Sequence, residues 1–167
     1  IMALARVVAT SINIALRQAP KYSSESQGSV ERFHSTLWAM VRTLLLVVRT
    51  NYGVELRMTD DLVTWAVKHA VWLYNRYQVH SDGQTSDARR WGKHYSRPIV
   101  TWAETIMFRR PGPPTTKTDI WWDYGIWVGK CTNSEGHFVL TPNGVQRCRS
   151  IRRLAPSARY NVKLLQS

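Results

Sequence analysis

Cysteine is scarce, with only Cys131 and Cys148 among 167 residues. That excludes a disulfide framework. The two cysteines, with His137 between them, also lack the paired Cys-x-x-Cys spacing of a zinc site, so free buried thiols are expected. Long apolar runs are missing as well. The longest purely aliphatic stretch, Leu44 to Val48, is far short of the roughly 20 residues that span a bilayer, so no membrane partner is expected. There is no signal-peptide pattern, internal repeat or low-complexity tract. The chain opens Ile1-Met2-Ala3 in a stretch that already reads as a helix, and a piece of a longer protein is expected. Acids are the third shortage. There are 11 Asp and Glu against 23 Lys and Arg, a net charge of +12, and no acid follows Glu135. Such an excess favours a polyanionic partner such as DNA or RNA over a small-molecule substrate.

What is present describes a globular chain: 44% hydrophobic and 20% charged residues, enough apolar content for a core. Residues 1–9 read as a short helix, 12–18 as a strand and 19–26 as a loop. A long helix follows from Gln27-Gly28. Its stripe of Val30, Phe33, Leu37, Met40 or Val41, Leu44 and Val48 recurs every three or four residues, and Asn51-Tyr52-Gly53 ends it. A second helix is predicted from Thr59, as its cap, to Gln78, with Asp60 and Asp61 complementing its positive end. Thr85 to Tyr95 reads as a short third helix and 99–108 as extended. Arg109-Arg110-Pro111-Gly112-Pro113-Pro114 opens a linker. Strands at 125–130, 136–140 and 145–151 follow, with a turn at Pro142-Asn143-Gly144. The boundaries drawn are a first domain over 1–108, a linker over 109–120, a small β module over 121–155 and a basic tail over 156–167.

Gly125 to Lys130 imitates a phosphate loop only superficially, because three residues rather than four separate its glycines and Cys131 follows the lysine. The eight tryptophans are spread along the chain, and most read as core or module-packing residues, not as a stacking platform for single strands. Arg147 and Arg149 alternate with Cys148, which puts both on one side of a strand. Arg152, Arg153, Arg159 and Lys163 extend that charge.

The segment with most chemistry is Pro20 to Leu37. Pro20, Tyr22, Ser26, Gln27, Gly28, Val30, Glu31, Arg32 and Leu37 fall in step with the last catalytic motif of retroviral and long-terminal-repeat retrotransposon integrases, and the chain resembles that family there. Trp65, His69, Ala70 and Asn75-Arg76 resemble its following helix. Gly83-Gln84-Thr85 with Arg89-Arg90-Trp91-Gly92 resembles a later segment. Residues 125–130 and 141–144 look like a small β module found after the core in some transposon polyproteins.

The resemblance implies an α/β fold: the C-terminal portion of an RNase H-like integrase core, mainly helices, followed by a small antiparallel β module. It implies that Glu31 is the third acid of an Asp, Asp, Glu triad that binds Mg²⁺ or Mn²⁺ in the complete enzyme, which cuts and joins DNA ends by phosphoryl transfer. Both aspartates would lie upstream of Ile1, so this chain alone would neither hold the metal tightly nor catalyse strand transfer. Tyr22, Ser26 and Gln27 would line the path of a DNA end, and Gly28 would allow close backbone approach. Lys21, Arg32 and Arg42 would contact phosphates, His34 would face DNA, and Arg147, Arg149, Arg152 and Arg153 would form a second basic site. The implied partners are double-stranded DNA ends and target DNA, with homo-oligomers in the full enzyme, in the nucleus or a cytoplasmic integration complex of a eukaryotic host. Two readings compete: a non-catalytic DNA-binding or chromatin-associating transposon relic, and a polyprotein interaction module using aromatics near Trp121-Trp122.

Overall fold

The computed structural model describes residues 28–112, 116–118 and 120–166. The readings placed on residues 1–27 lie outside them. The chain divides into two units, Ile1–Thr36 and Leu37–Ser167. The described part of the first is the opening turns of a helix.

That helix, α1, spans Gly28–Tyr52. No glycine or proline interrupts it after Gly28, and Val41, Leu44, Val48 and Tyr52 are buried along one face, as apolar residues at helical spacing should be. Val30 is 54% exposed, so the buried stripe starts later than the spacing predicts. The helix stops at Gly53, whose φ of +66° suits a residue without Cβ. Its N–H returns to the Arg49 carbonyl at 3.0 Å.

Helix α2 covers Asp61–Tyr77. Its N-cap is Asp60, not the predicted Thr59, and Asp60 makes no capping bond; its carboxylate instead accepts the Arg57 N–H at 2.6 Å. Helix α3 is only Ser86–Trp91. Thr85 caps it by accepting the Ala88 N–H at 3.1 Å, which satisfies one of the orphan donors of the first turn.

Five strands follow: β1 Thr105–Arg109, β2 Trp122–Lys130, β3 His137–Thr141, β4 Gly144–Cys148 and β5 Ile151–Arg153. A 3₁₀ turn at Pro156–Ala158 and a short helix α4, Val162–Leu165, follow β5. The sheet order is β4-β3-β2-β1-β5. Strands β1 to β4 form a meander, and β5 crosses back to the far side of β1. The turn at Pro142 to Gly144 joins β3 to β4 as predicted, but the predicted strand 145–151 is two strands. It ends at Cys148, and the chain restarts at Ile151 on a new partner, with Phe108 opposite Ile151 and Ile106 opposite Arg153.

Every pairing in this sheet is antiparallel. The expected fold class, part of an RNase H-like α/β core, is therefore corrected. Such a core carries a mixed parallel and antiparallel sheet, and the observed one is antiparallel throughout and open, with β4 and β5 at its edges. Parallel pairing needs a crossover, usually through a helix. Here β1 pairs antiparallel with its chain neighbour β2, and β2, β3 and β4 are joined by the connection 131–136 and by a tight turn. The resemblance to integrases rested on local motifs, and such motifs do not fix strand direction.

The core joins Val41, Leu44 and Val48 of α1, Leu62, Ala66 and Ala70 of α2, and Ile106, Phe108, Ile126, Trp127 and Val139 of the sheet. At Gly125 the neighbouring strand leaves no room for a side chain. A Cβ there would collide with the Val139 side chain and the Leu140 carbonyl. Among the described residues no helix is long and apolar enough to cross a membrane.

Candidate functional site

The sheet concentrates arginine at one corner. A cleft of about 840 Å³ opens between the end of β1, the β2–β3 connection and the β4–β5 turn. Arg109, Arg110, Arg147 and Arg149 line it, with Glu135 as the one acid. Cys148 points inward and is buried while Arg147 and Arg149 on either side are exposed, as strand alternation requires. Arg147 donates to Ser134 Oγ at 2.9 Å. Arg110 is bound to the Asp123 carboxylate at 2.9 and 3.2 Å.

Glu135 is committed elsewhere. Its carboxylate accepts from Lys130 Nζ at 2.6 Å and from the Tyr95 hydroxyl at 3.3 Å, and Arg97 stands 3.6 Å away. Burial alone would push the Lys130 ammonium down, but its bonds to Glu135 and Tyr95 outweigh this and hold its pKa up. Burial works on Glu135 in the opposite sense, and the bond from Lys130 overrides it to keep the carboxyl below its ordinary value. The cleft is thus lined by fixed positive charge, and its one acid is already neutralised from behind.

A second group lies on one face of β1, β2 and β5. Tyr124, Met107 and Arg152 stand in one row across three strands, and Trp122 is paired with Arg109 in the next. The Arg152 guanidinium sits over the Trp122 ring at 4.3 Å, and Arg109 sits over Trp121 at 4.2 Å. Among the described residues no carboxylate lies within ion-pair distance of Arg109, Arg147, Arg149 or Arg152.

Arg153 is placed differently from its neighbours. It donates twice to the Glu104 carboxylate, at 2.8 and 2.6 Å. Glu104 is 0% exposed, and Arg159 approaches it at 3.5 Å. Two bonds from a planar fork are what a buried carboxylate requires.

Of the other sequence-derived candidates, Arg42 is the one in the second unit, and it does not line this cleft. Lys21, Tyr22, Ser26 and Gln27 lie outside the described residues. Glu31, Arg32 and His34 are exposed on the first turns of α1, next to Gly28 at its start. Arg42 is exposed on the same helix within the second unit. Cys131 and Cys148 are free and buried, as expected; burial, with Cys131 close by, pushes the Cys148 thiol up to about 11. Residues 125–130 are strand β2, not a phosphate loop. Reading the sequence missed Arg109 and Arg110 as parts of a site, and it singled out the aromatics near Trp121-Trp122 only for a protein-interaction module. The signal was there in an arginine pair directly after the apolar run Ile106 to Phe108.

The expected function, a portion of an integrase working through a carboxylate metal site, is corrected on two grounds. The sheet has the wrong topology for that catalytic core. Among the described residues no three His, Cys, Asp or Glu side chains are grouped to hold a metal ion. The integrase, retrotransposon and DNA-integration assignments fall with it. No family model matches the chain, and no curated protein matches it in sequence.

Proposed function

We propose that the sheet is a non-catalytic nucleic-acid-binding module that grips the phosphate backbone, with duplex DNA as a partner. The observation that carries this reading is the arginine-lined cleft whose one acid is bound to Lys130. Guanidinium groups give paired donors to phosphate oxygens, and contacts of this kind position a protein on the backbone without reading sequence. The net charge of +12 adds long-range attraction. Such a module would meet its partner inside the cell, in the nucleus or the cytoplasm.

The test is fluorescence anisotropy of the full chain with a labelled DNA duplex across a salt series. Each phosphate neutralised contributes about −0.9 to the slope of log affinity against log salt. Three or four arginines at the cleft give a slope of about −3 to −4. The double substitution Arg147→Ala, Arg149→Ala is expected to reduce it by about 2. A flat salt dependence would sink the reading.

A further inference from the structure

The aromatic and arginine face on β1, β2 and β5 is continuous with the cleft, because Arg109 both lines the cleft and covers Trp121. Beside it is a separate hollow of about 390 Å³, bordered by Tyr124, Asn143 and Gln146. Tyr124 is 51% exposed, so its ring presents a free apolar surface at the mouth of the hollow. Asn143 and Gln146 each carry an amide donor and an amide acceptor. The acid at the hollow, Asp123, is bound by Arg110. Across the row from Tyr124 stands Arg152, held against Trp122. The surface therefore combines a flat aromatic, amide groups able to meet a base edge, and guanidinium planes backed by indole rings. Double-stranded DNA buries the faces of its bases and can use only the arginines. An unpaired base can use all three, since bases stack on aromatic rings and on arginine planes alike.

We propose that the hollow beside Tyr124 seats an unpaired nucleobase, so that the preferred ligand is nucleic acid with single-stranded bases whose backbone runs on into the arginine cleft. The inference rests on the backbone-binding reading and names its ligand class. Charge complementarity selects this occupant over an apolar peptide, because Arg152 in the row of Tyr124 and Arg109 beside Trp122 have no described carboxylate within ion-pair distance, and the hollow's one acid, Asp123, is bound by Arg110.

The experiment uses the full chain and three labelled probes of one length: a mixed-sequence single strand, its duplex, and an abasic strand with the same number of phosphates. The single strand is expected to bind about tenfold more tightly than the abasic strand, within the range measured for one stacked base. Tyr124→Ala, at an exposed position, is expected to remove that advantage and leave duplex binding unchanged. Arg149→Ala weakens all three probes. Equal affinity for abasic and base-bearing strands overturns the nucleobase site while leaving backbone binding standing, as does a Tyr124→Ala loss that is the same for single strand and duplex. Failure to bind any of the three, or binding of an acidic polyglutamate peptide in their place, overturns both readings.

Discussion

Strand β2 runs through two environments that use the same residue types to opposite ends. Its first three residues, Trp122 to Tyr124, are partly or largely exposed, and its last six, Gly125 to Lys130, are all buried. In the buried half Trp127 donates from Nε1 to His137 Nδ1 at 3.0 Å, and Lys130 is bound to Glu135 and Tyr95. Every cation and indole there has a partner inside the protein. In the exposed half Trp122 lies beneath Arg152, which has no described carboxylate to bind. The lesson is that tryptophan beside a cation does not announce a site. A site needs the cation's remaining hydrogen-bonding capacity to face outward.

Three measurements would break or sharpen this contrast. The largest effect belongs to Trp127→Ala. Removing a fully buried indole should cost about 3–5 kcal/mol. Trp122→Ala should cost about 1 kcal/mol or less, the worth of an exposed cation–π contact. Urea denaturation followed by circular dichroism reads both, and equal losses would erase the distinction between the two halves.

Acid is the next lever, and it acts through the buried half. His69 is 3% exposed, with Trp72 stacked on it at 5.8 Å and Trp127 edge-on at 5.1 Å. Burial lowers its pKa from 6.5 to about 4. Burial, and secondarily the nearby Lys130 charge, lowers His137 to about 4 as well. Its Nδ1 must stay unprotonated to accept from Trp127. Between these values the unfolded chain binds the protons and the folded one does not, so stability is complete above pH 6.5 and is lost as the pH falls towards 4. For His69 the loss is on the order of 3 kcal/mol. The denaturation midpoint measured from pH 7 to pH 4 checks the sign; a midpoint that rises on acidification would contradict it.

The smallest of the three effects separates two arginines four residues apart. Arg153→Ala strips two hydrogen bonds from buried Glu104 but leaves Arg159 at 3.5 Å. The cost should therefore fall below the roughly 3–5 kcal/mol of a fully orphaned buried ion. Arg149→Ala should stay within about 0.5 kcal/mol of wild type while weakening nucleic-acid binding. A reversal of these two phenotypes would move the functional surface from the cleft to β5.

Local features of the fold could be read from the sequence because they are written in neighbouring residues. The stripe of Val41, Leu44 and Val48 marks the buried face of α1, Gly53 marks its end, and Pro142 to Gly144 marks a turn. What could not be read is set by partners far apart in the chain. Alternation around Cys148 shows that Arg147 and Arg149 share a side, but nothing local says that the chain leaves β4 at Cys148 and pairs Ile151 with Phe108. Nothing beside Glu104 in sequence marks it as buried, because its partner Arg153 comes 49 residues later. The motif around Glu31 misled for the same reason. Spacing within one segment carries no information on the direction of strands elsewhere, and four of the segment's nine matching positions precede the described residues. Adjacency of Trp121 and Trp122 in sequence likewise does not say which face of a sheet each takes, so their pairing with Arg109 and Arg152 is visible only in the structure.

The return of β5 to β1 also sets a timetable. As the polypeptide leaves the ribosome, β1 to β4 can zip together by successive hairpins, each closing a short loop at small entropic expense. One edge of β1 stays unpaired, and the Glu104 carboxylate stays unmatched, until Arg153 has emerged. A bare strand edge is an invitation to other chains. The interval between the synthesis of Cys148 and that of Arg153 is thus when a nascent copy is most open to sticking to its neighbours, and β5 is the clasp that ends that exposure.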